Sequence, residues 1–183
     1  MRNLKISFSV RIRTEFEVGQ KAQFAKILNF NQLHKLHTDI SLLNMSEKFV
    51  GKWNLESSEN FDDFMKEVGV NFLTRKAAGC VKPVLEFEVS NAGEHWKMTS
   101  TSTFTTWNCE FDLNKEFEVK TADGRTVKTI FAYENGKLTE KQSKLKDDEK
   151  DSYYERYIDE SGKLVITMEA GSVKAKRVYT KAA

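Results

Sequence analysis

"RTVKTIFAYENG", residues 125–136, is a short run crowded with Val, Ile, Thr, Phe and Tyr that stops at a tight-turn signal, Asn135-Gly136. The same unit recurs along the chain. "PVLEFEVS" (83–90) runs into "NAG" (91–93), and further turn signals follow at "DLN" (112–114), "ADG" (122–124), "DESG" (159–162) and "AGS" (170–172). Strands at roughly 8–12 residue spacing with tight turns predict an antiparallel up-and-down meander, closed as a barrel or sandwich. Counted from "KFVGKWNLE", the chain holds ten strands, and Pro83, its only proline, stands at a strand start where a missing N–H does least harm. A closed sheet of that size is wider than its own side chains fill, so an internal cavity is expected.

One stretch, Asn60 to Val81, breaks the beat. Asn60 reads as an N-cap, and Asp62 and Asp63 suit the positive end of a first helical turn. Phe61, Phe64, Met65 and Val68 recur at helical spacing, and Gly69 can end the helix. Asn71 then caps a second short helix reaching about Gly79. The expected architecture is all-β, with one helix-turn-helix between the first two strands.

Composition narrows the function classes. Apolar residues at 39% and aromatics at 11% are ample for a core, and no run approaches the roughly 20 apolar residues of a spanning helix. Residues 1–44 carry seven Lys/Arg against three Asp/Glu, whereas the remainder carries 22 against 24. The positive excess therefore belongs to the N-terminal piece, and the body offers no basic field for nucleic acid. That piece lacks a continuous apolar core of a secretory signal, since Lys5, Arg11 and Arg13 interrupt it. Phe24, Ile27, Leu28 and Leu36 make at most a weak amphipathic helix, so disorder is the expected state of 1–44. "NMSEKFVGKW" reads as a fresh start at Met45, with 45–183 the functional unit.

The late strands pose a question of charge. In "SVKAKRVYTKAA" (172–183), alternation puts Val173, Ala175, Arg177 and Tyr179 on one face against Lys174, Lys176, Val178 and Thr180. In "DSYYERYIDE", Tyr154, Arg156 and Ile158 share a face. Two arginines thus sit among apolar and aromatic neighbours. Desolvating a guanidinium costs several kcal/mol unless it gains a partner, and arginine cannot escape by losing its proton. Either interior acids pair with them, Glu86, Glu88, Glu110, Glu118 and other acids being candidates, or the assigned faces are reversed, or the arginines await an anion such as a carboxylate, which suits the guanidinium fork.

"GKWNLESSENFDDFMKEV" (51–68) resembles the N-terminal signature of the intracellular lipid-binding protein family, which includes fatty-acid-binding and cellular retinoid-binding proteins. Gly51, Trp53, Leu55, Asn60, Phe61, Asp62, Phe64 and Met65 carry the match; "GVNFLTRKAAGCVKP", "KTADGRTVKT" and "KRVYTKA" continue it in order. The resemblance covers 45–183 and none of 1–44. It implies a lipocalin-like ten-stranded β-clam with a helical lid, holding a long-chain fatty acid in the interior. It further implies that Arg156, Arg177 and Tyr179 hold the ligand carboxylate and that Phe61, Phe104 and Arg125 belong to the portal. Lys66, Arg75 and Lys76 would give the lid a basic surface, and some relatives use such a surface for contact with anionic membranes or entry into the nucleus. Retinoic-acid carriage is the runner-up. A monomer in the cytoplasm is expected, with nuclear delivery a further expectation.

Catalysis is not expected. His34, His37 and His95 are the only histidines, no Ser-His-acid set or Gly-rich phosphate loop is present, and two histidines alone seldom hold a metal. No cofactor is implied. Cys80 and Cys109 form no CxxC pair, so reduced packing thiols are the expectation. Trp53 and Trp107 read as core or rim aromatics.

Overall fold

The computed structural model describes residues 46–182, so the expectations for 1–44 and for Met45 lie outside the described residues. The strands are β1 (Gly51–Glu59), β2 (Val84–Ser90), β3 (His95–Thr101), β4 (Thr106–Asp112), β5 (Glu116–Lys120), β6 (Thr126–Glu134), β7 (Lys137–Lys144), β8 (Ser152–Ile158), β9 (Leu164–Ala170) and β10 (Val173–Lys181). Two helices, α1 (Phe61–Glu67) and α2 (Phe72–Gly79), lie between β1 and β2, as expected. The ten strands form one antiparallel sheet in the order β4-β3-β2-β1-β10-β9-β8-β7-β6-β5.

Closure by hydrogen bonds is incomplete, because β4 and β5 end the order and share no ladder. Side chains bridge that seam. The Trp107 indole N–H donates to the Lys120 carbonyl at 2.7 Å. Phe111 of β4 stacks on Phe131 of β6 with centroids 3.7 Å apart, and Phe117 of β5 lies 6.2 Å from the same ring. Trp107 is thus a seam residue.

Alternation sorts the side chains as the sequence implies. In β6, Val127, Thr129, Phe131 and Tyr133 are buried while Thr126, Lys128 and Glu134 are exposed. The core includes an aromatic cluster in which Phe49 meets Phe87, Trp96 and Tyr133 edge-on at 5.5–5.9 Å. Such pairs add about 0.5–1.5 kcal/mol beyond area burial. Each indole in this region also finds an acceptor: Trp53 donates to the Phe49 carbonyl at 2.7 Å and Trp96 to that of Gly93 at 2.8 Å.

Phe64, Met65 and Val68 seat α1 against β9 and β10. Asn60 does occupy the N-cap position, and its carbonyl accepts from the Phe64 N–H at 3.0 Å. Its side chain makes no capping bond, however, because its backbone is left-handed (φ 54°) rather than extended as a side-chain cap requires. Gly69, at φ 92°, lets the chain turn out of α1, and its N–H bonds to the Lys66 carbonyl at 3.1 Å. Asn71 caps α2 through its side chain, which accepts from the Thr74 N–H at 3.0 Å. No residue of α2 is buried; Phe72 and Leu73 are 58% and 79% exposed.

The β7–β8 hairpin reaches the lid. Lys150 pairs with Glu67 of α1 at 2.5 Å, and a Cβ on Gly171 would meet that same Glu67 oxygen at 2.5 Å. Gly171 also has φ 54°. Gly171→Ala should therefore destabilise the fold by about 1–2 kcal/mol in urea, most of it backbone strain. Equal denaturation midpoints would show that neither the backbone strain nor the close approach of Glu67 is felt at this β9–β10 turn.

Candidate functional site

Register brings the candidate residues together. Arg156 of β8 pairs with Ile166 of β9, and Ile166 pairs with Arg177 of β10. Directly opposed residues in an antiparallel sheet point to the same side. Both guanidinium stems therefore rise from one row of the inner face, two strand spacings or about 10 Å apart. Tyr179 follows one step along β10, opposite Leu164, and is 1% exposed.

Arg156, 5% exposed, has an acid beside it. Its Nη2 donates to Glu140 Oε2 at 2.5 Å, and Glu140 is 3% exposed. Glu140 Oε1 accepts from Gln142 Nε2 at 2.5 Å and from the Thr129 hydroxyl at 3.3 Å. Gln142 Oε1 in turn accepts from the Ser152 hydroxyl at 3.2 Å and from that of Tyr154 at 3.5 Å. Burial, reinforced by Glu140, pushes the Tyr154 phenol up to about 12, so it remains a donor at neutral pH. The Arg156 guanidinium lies 5.2 Å from the Tyr154 ring centroid and 5.8 Å from that of Phe131. Its Nε and Nη1 are buried with no hydrogen-bond partner.

Arg177 differs in kind. No described carboxylate pairs with it, and its buried Nε has no partner. Burial pulls its guanidinium below the ordinary arginine range, with only Tyr179 acting in the opposite direction. It nonetheless stays charged at neutral pH. Phe61, the first residue of α1, lies over it with the ring centroid 4.2 Å away, a cation–π distance. Burial raises the Tyr179 phenol, so its hydroxyl also remains a donor. The arrangement offers an anion a fork of N–H groups and an O–H beneath the lid helix.

The other candidates lie elsewhere. Phe104 is 74% exposed in the turn between β3 and β4. Arg125, buried in the β5–β6 turn, binds Asp123 through Nε at 2.9 Å and Nη2 at 3.0 Å. Burial pulls its pKa down, but the Asp123 hydrogen bonds and charge outweigh that and leave it raised. Arg75 is engaged within the lid, with Nε 3.3 Å from Asp62 and Nη1 donating to the Val70 carbonyl at 3.0 Å. Lys66 and Lys76 are exposed, Lys76 lying 5.3 Å from the Phe72 ring centroid.

The four glutamates named as candidate interior partners stay outside. Glu86 lies 3.9 Å from Lys52 and Glu88 3.1 Å from Lys97, while Glu110 and Glu118 are exposed. Glu140 is the one that reaches Arg156. Its signal lay in "KLTEKQSK", where Leu138, Glu140 and Gln142 alternate on one face and Leu138 is fully buried. Cys109 is buried, and its thiol is pushed up to about 12 by burial and then by Glu140, which keeps it protonated. Half-exposed His95 lies 2.8 Å from Asp112. Among the described residues no His, Cys, Asp and Glu cluster is arranged to hold a metal, and no helix is long and apolar enough to cross a membrane.

Comparison with known proteins adds a second line. The family described as "Lipocalin / cytosolic fatty-acid binding protein family" matches residues 50–182. "Fatty acid-binding protein homolog 6" of Caenorhabditis elegans is 47% identical over 137 residues, covering 75% of this chain and 99% of the relative. Among solved structures, apo lipid binding protein 8 of Caenorhabditis elegans matches with a TM-score of 0.70 at 34% identity, covering 74% of this chain and 96% of that one. A Schistosoma mansoni fatty acid binding protein in complex with arachidonic acid matches with a TM-score of 0.68 at 32% identity, over 74% of this chain and 97% of that one.

Proposed function

Because this chain belongs to the lipocalin and cytosolic fatty-acid binding protein family, we propose that it binds a long-chain fatty acid non-covalently inside its barrel and carries it within the cell. The observation that carries this reading is Arg177: a cation under the lid with no carboxylate among the described residues to neutralise it. An incoming carboxylate supplies that partner. Tyr179 adds a hydroxyl donor, and Arg156 can offer Nε and Nη1, although Glu140 already offsets its charge. The chain of the ligand contributes most of the affinity, at roughly 0.8 kcal/mol per buried CH₂. The arginines fix which end goes where. Nothing in this role requires a bond to be made or broken, so the protein acts as a carrier and not as a catalyst, without cofactor or nucleic acid.

Displacement of a fluorescent fatty acid tests the reading. Octadecanoate should compete far better than octadecanol, and equal affinities would defeat the carboxylate assignment. A retinoic-acid-type carrier would use the same cation, so retinoic acid belongs in the same competition series.

The exposed face of α2 favours a membrane-docking step in delivery. Phe72 and Leu73 stand clear of the fold beside Lys76, and anionic lipid attracts such a cation at about 1 kcal/mol. Transfer of ligand to anionic vesicles should accelerate with vesicle concentration, and Leu73→Ser should slow it. A rate independent of vesicles would indicate aqueous release. We place the carrier in the cytoplasm as a monomer, with Phe61, Phe104 and Arg125 around the portal. Nuclear delivery would draw on the exposed lid residues Lys66 and Lys76 more than on the internally engaged Arg75.

A further inference from the structure

The end of the barrel remote from the lid carries a pocket of its own. β2 leaves α2 at the lid, so the β2–β3 turn, the β4–β5 turn and the last residues of β6 fall at the opposite end. There Asn91, Glu94, Asp112, Asn114, Lys115 and Tyr133 line a cavity of about 230 Å³. At the roughly 30 Å³ that a water occupies, this is room for a molecule of several non-hydrogen atoms. The turns that frame it are tied in place. The Leu113 N–H donates to the Glu94 carbonyl at 3.0 Å, and the Asn114 N–H to that of Phe131 at 2.7 Å.

Two groups of this pocket lack the partners their chemistry calls for. Tyr133 is 8% exposed, and its buried hydroxyl bonds to no protein group. A buried tyrosine ordinarily finds such a partner, and a phenylalanine would pack as well on Phe49 and Trp96. Burial pushes the phenol up to about 12, so at neutral pH the oxygen keeps both its proton and its accepting capacity. The second group is Glu94. Both oxygens of Asp112 are engaged, Oδ1 with His95 at 2.8 Å and Oδ2 with Lys115 at 2.9 Å. The Glu94 carboxylate has no ion pair or hydrogen bond among the described residues and acts on Lys115 only through its field. Two carboxylates thus stand against one ammonium, which Asp112 already holds.

We propose that this pocket is a second ligand site, distinct from the fatty-acid cavity, and that it takes a small primary amine as its ammonium, with the charge on Glu94 and an N–H on the Tyr133 oxygen. An ammonium brings three donors to a place where the uncommitted carboxylate, the phenol oxygen and the amide oxygens of Asn91 and Asn114 can all accept. An anion would have to stand beside Glu94 and Asp112 and draw Lys115 out of its pair. Leu113, which also lines the cavity, offers the alkyl part an apolar wall. The site does not involve Arg177, so it stands whichever way a fatty acid orients its head group.

Backbone amide shifts followed by NMR during titration with butylammonium chloride test the proposal. Tetramethylammonium chloride at equal ionic strength supplies a cation without N–H donors. With wild type, butylammonium should give saturable shifts confined to residues 91–95, 112–115 and the neighbours of Tyr133, and tetramethylammonium none. Glu94→Gln should weaken butylammonium binding about tenfold and Tyr133→Phe about fivefold, the loss of a charge-assisted and of a neutral hydrogen bond. Glu94 is exposed and Tyr133→Phe keeps the packed ring, so both variants should fold. Saturating octadecanoate should leave the butylammonium affinity unchanged, because the rings of Phe49, Trp96 and Tyr133 pack together at this end of the barrel. Unsaturating shifts that are the same for both salts would overturn the proposal. So would full affinity in either variant, or displacement of the amine by octadecanoate, which would put it in the acyl cavity.

Discussion

Arg177→Ala is expected to weaken octadecanoate binding on the order of a hundredfold while leaving octadecanol binding nearly unchanged. The magnitude follows from the charge-assisted hydrogen bonds a guanidinium makes to a carboxylate, about 1.5–3 kcal/mol each. Octadecanol forms no ion pair to lose, so the ratio between the two ligands isolates the charge. Arg177→Lys should recover only part of the loss, because an ammonium keeps the charge but lacks the planar fork. The same substitution has a predicted signature without ligand. Arg177 is partly buried, its Nε is unpartnered, and its guanidinium lies against the Phe61 ring. Removing a partly buried charge that no described carboxylate offsets relieves a desolvation cost, so apo Arg177→Ala should be more stable than wild type in urea. Stability given up in the empty protein is recovered on binding. A variant that loses stability and keeps its acid selectivity would show Arg177 to be structural.

Glu140→Ala should do the opposite and cost about 3–5 kcal/mol of stability, the largest effect expected outside the aromatic core. Removing Glu140 strands the buried Arg156 guanidinium, since Glu140 is its one hydrogen-bond partner among the described residues. It also removes the acceptor of Gln142 and Thr129. Replacing the pair together, Glu140→Leu with Arg156→Leu, should cost much less than Glu140→Ala alone, because no charge is then left uncompensated. Urea denaturation of the single and double variants decides. A single variant within about 0.5 kcal/mol of wild type, the range of ordinary surface changes, would mean that Arg156 is solvated and the ion pair is not what holds it inside.

The architecture was legible because its signals are local and repeated. Each strand carries its own β-rich run and its own turn, so the count from "KFVGKWNLE" to "KRVYTKA" gives the meander without long-range information. The helical interruption was legible for the same reason, down to the capping role of Asn71. Asn60 misled in detail. Its residue type suits a side-chain cap, but the chain enters α1 from β1 through a left-handed residue, a conformation asparagine tolerates and the sequence does not announce. The missing β4–β5 ladder was likewise hidden, because strand propensity does not say whether a sheet's last two edges meet.

The site divided along similar lines. Alternation within β10 and β8 placed Arg177, Tyr179 and Arg156 on inner faces, since an arginine among apolar neighbours is conspicuous. Glu140 was not conspicuous. It sits in "KLTEKQSK", where both faces of the strand are largely polar and only Leu138 marks the inner one. Its pairing with Arg156 depends on the β7–β8 register, which a long intervening hairpin separates in sequence. The resemblance implies a portal role for Phe61, and the ring contact with Arg177 arises from the packing of α1 on β10, a tertiary fact with no local signature.

A crystal structure of the protein with bound octadecanoate tests the central claim most directly. Both carboxylate oxygens should lie within hydrogen-bond distance of the Arg177 guanidinium and the Tyr179 hydroxyl, with the Arg156–Glu140 pair intact behind them. A carboxylate bound instead to Arg156 with Glu140 displaced, or one pointing out past the lid helix, would contradict it.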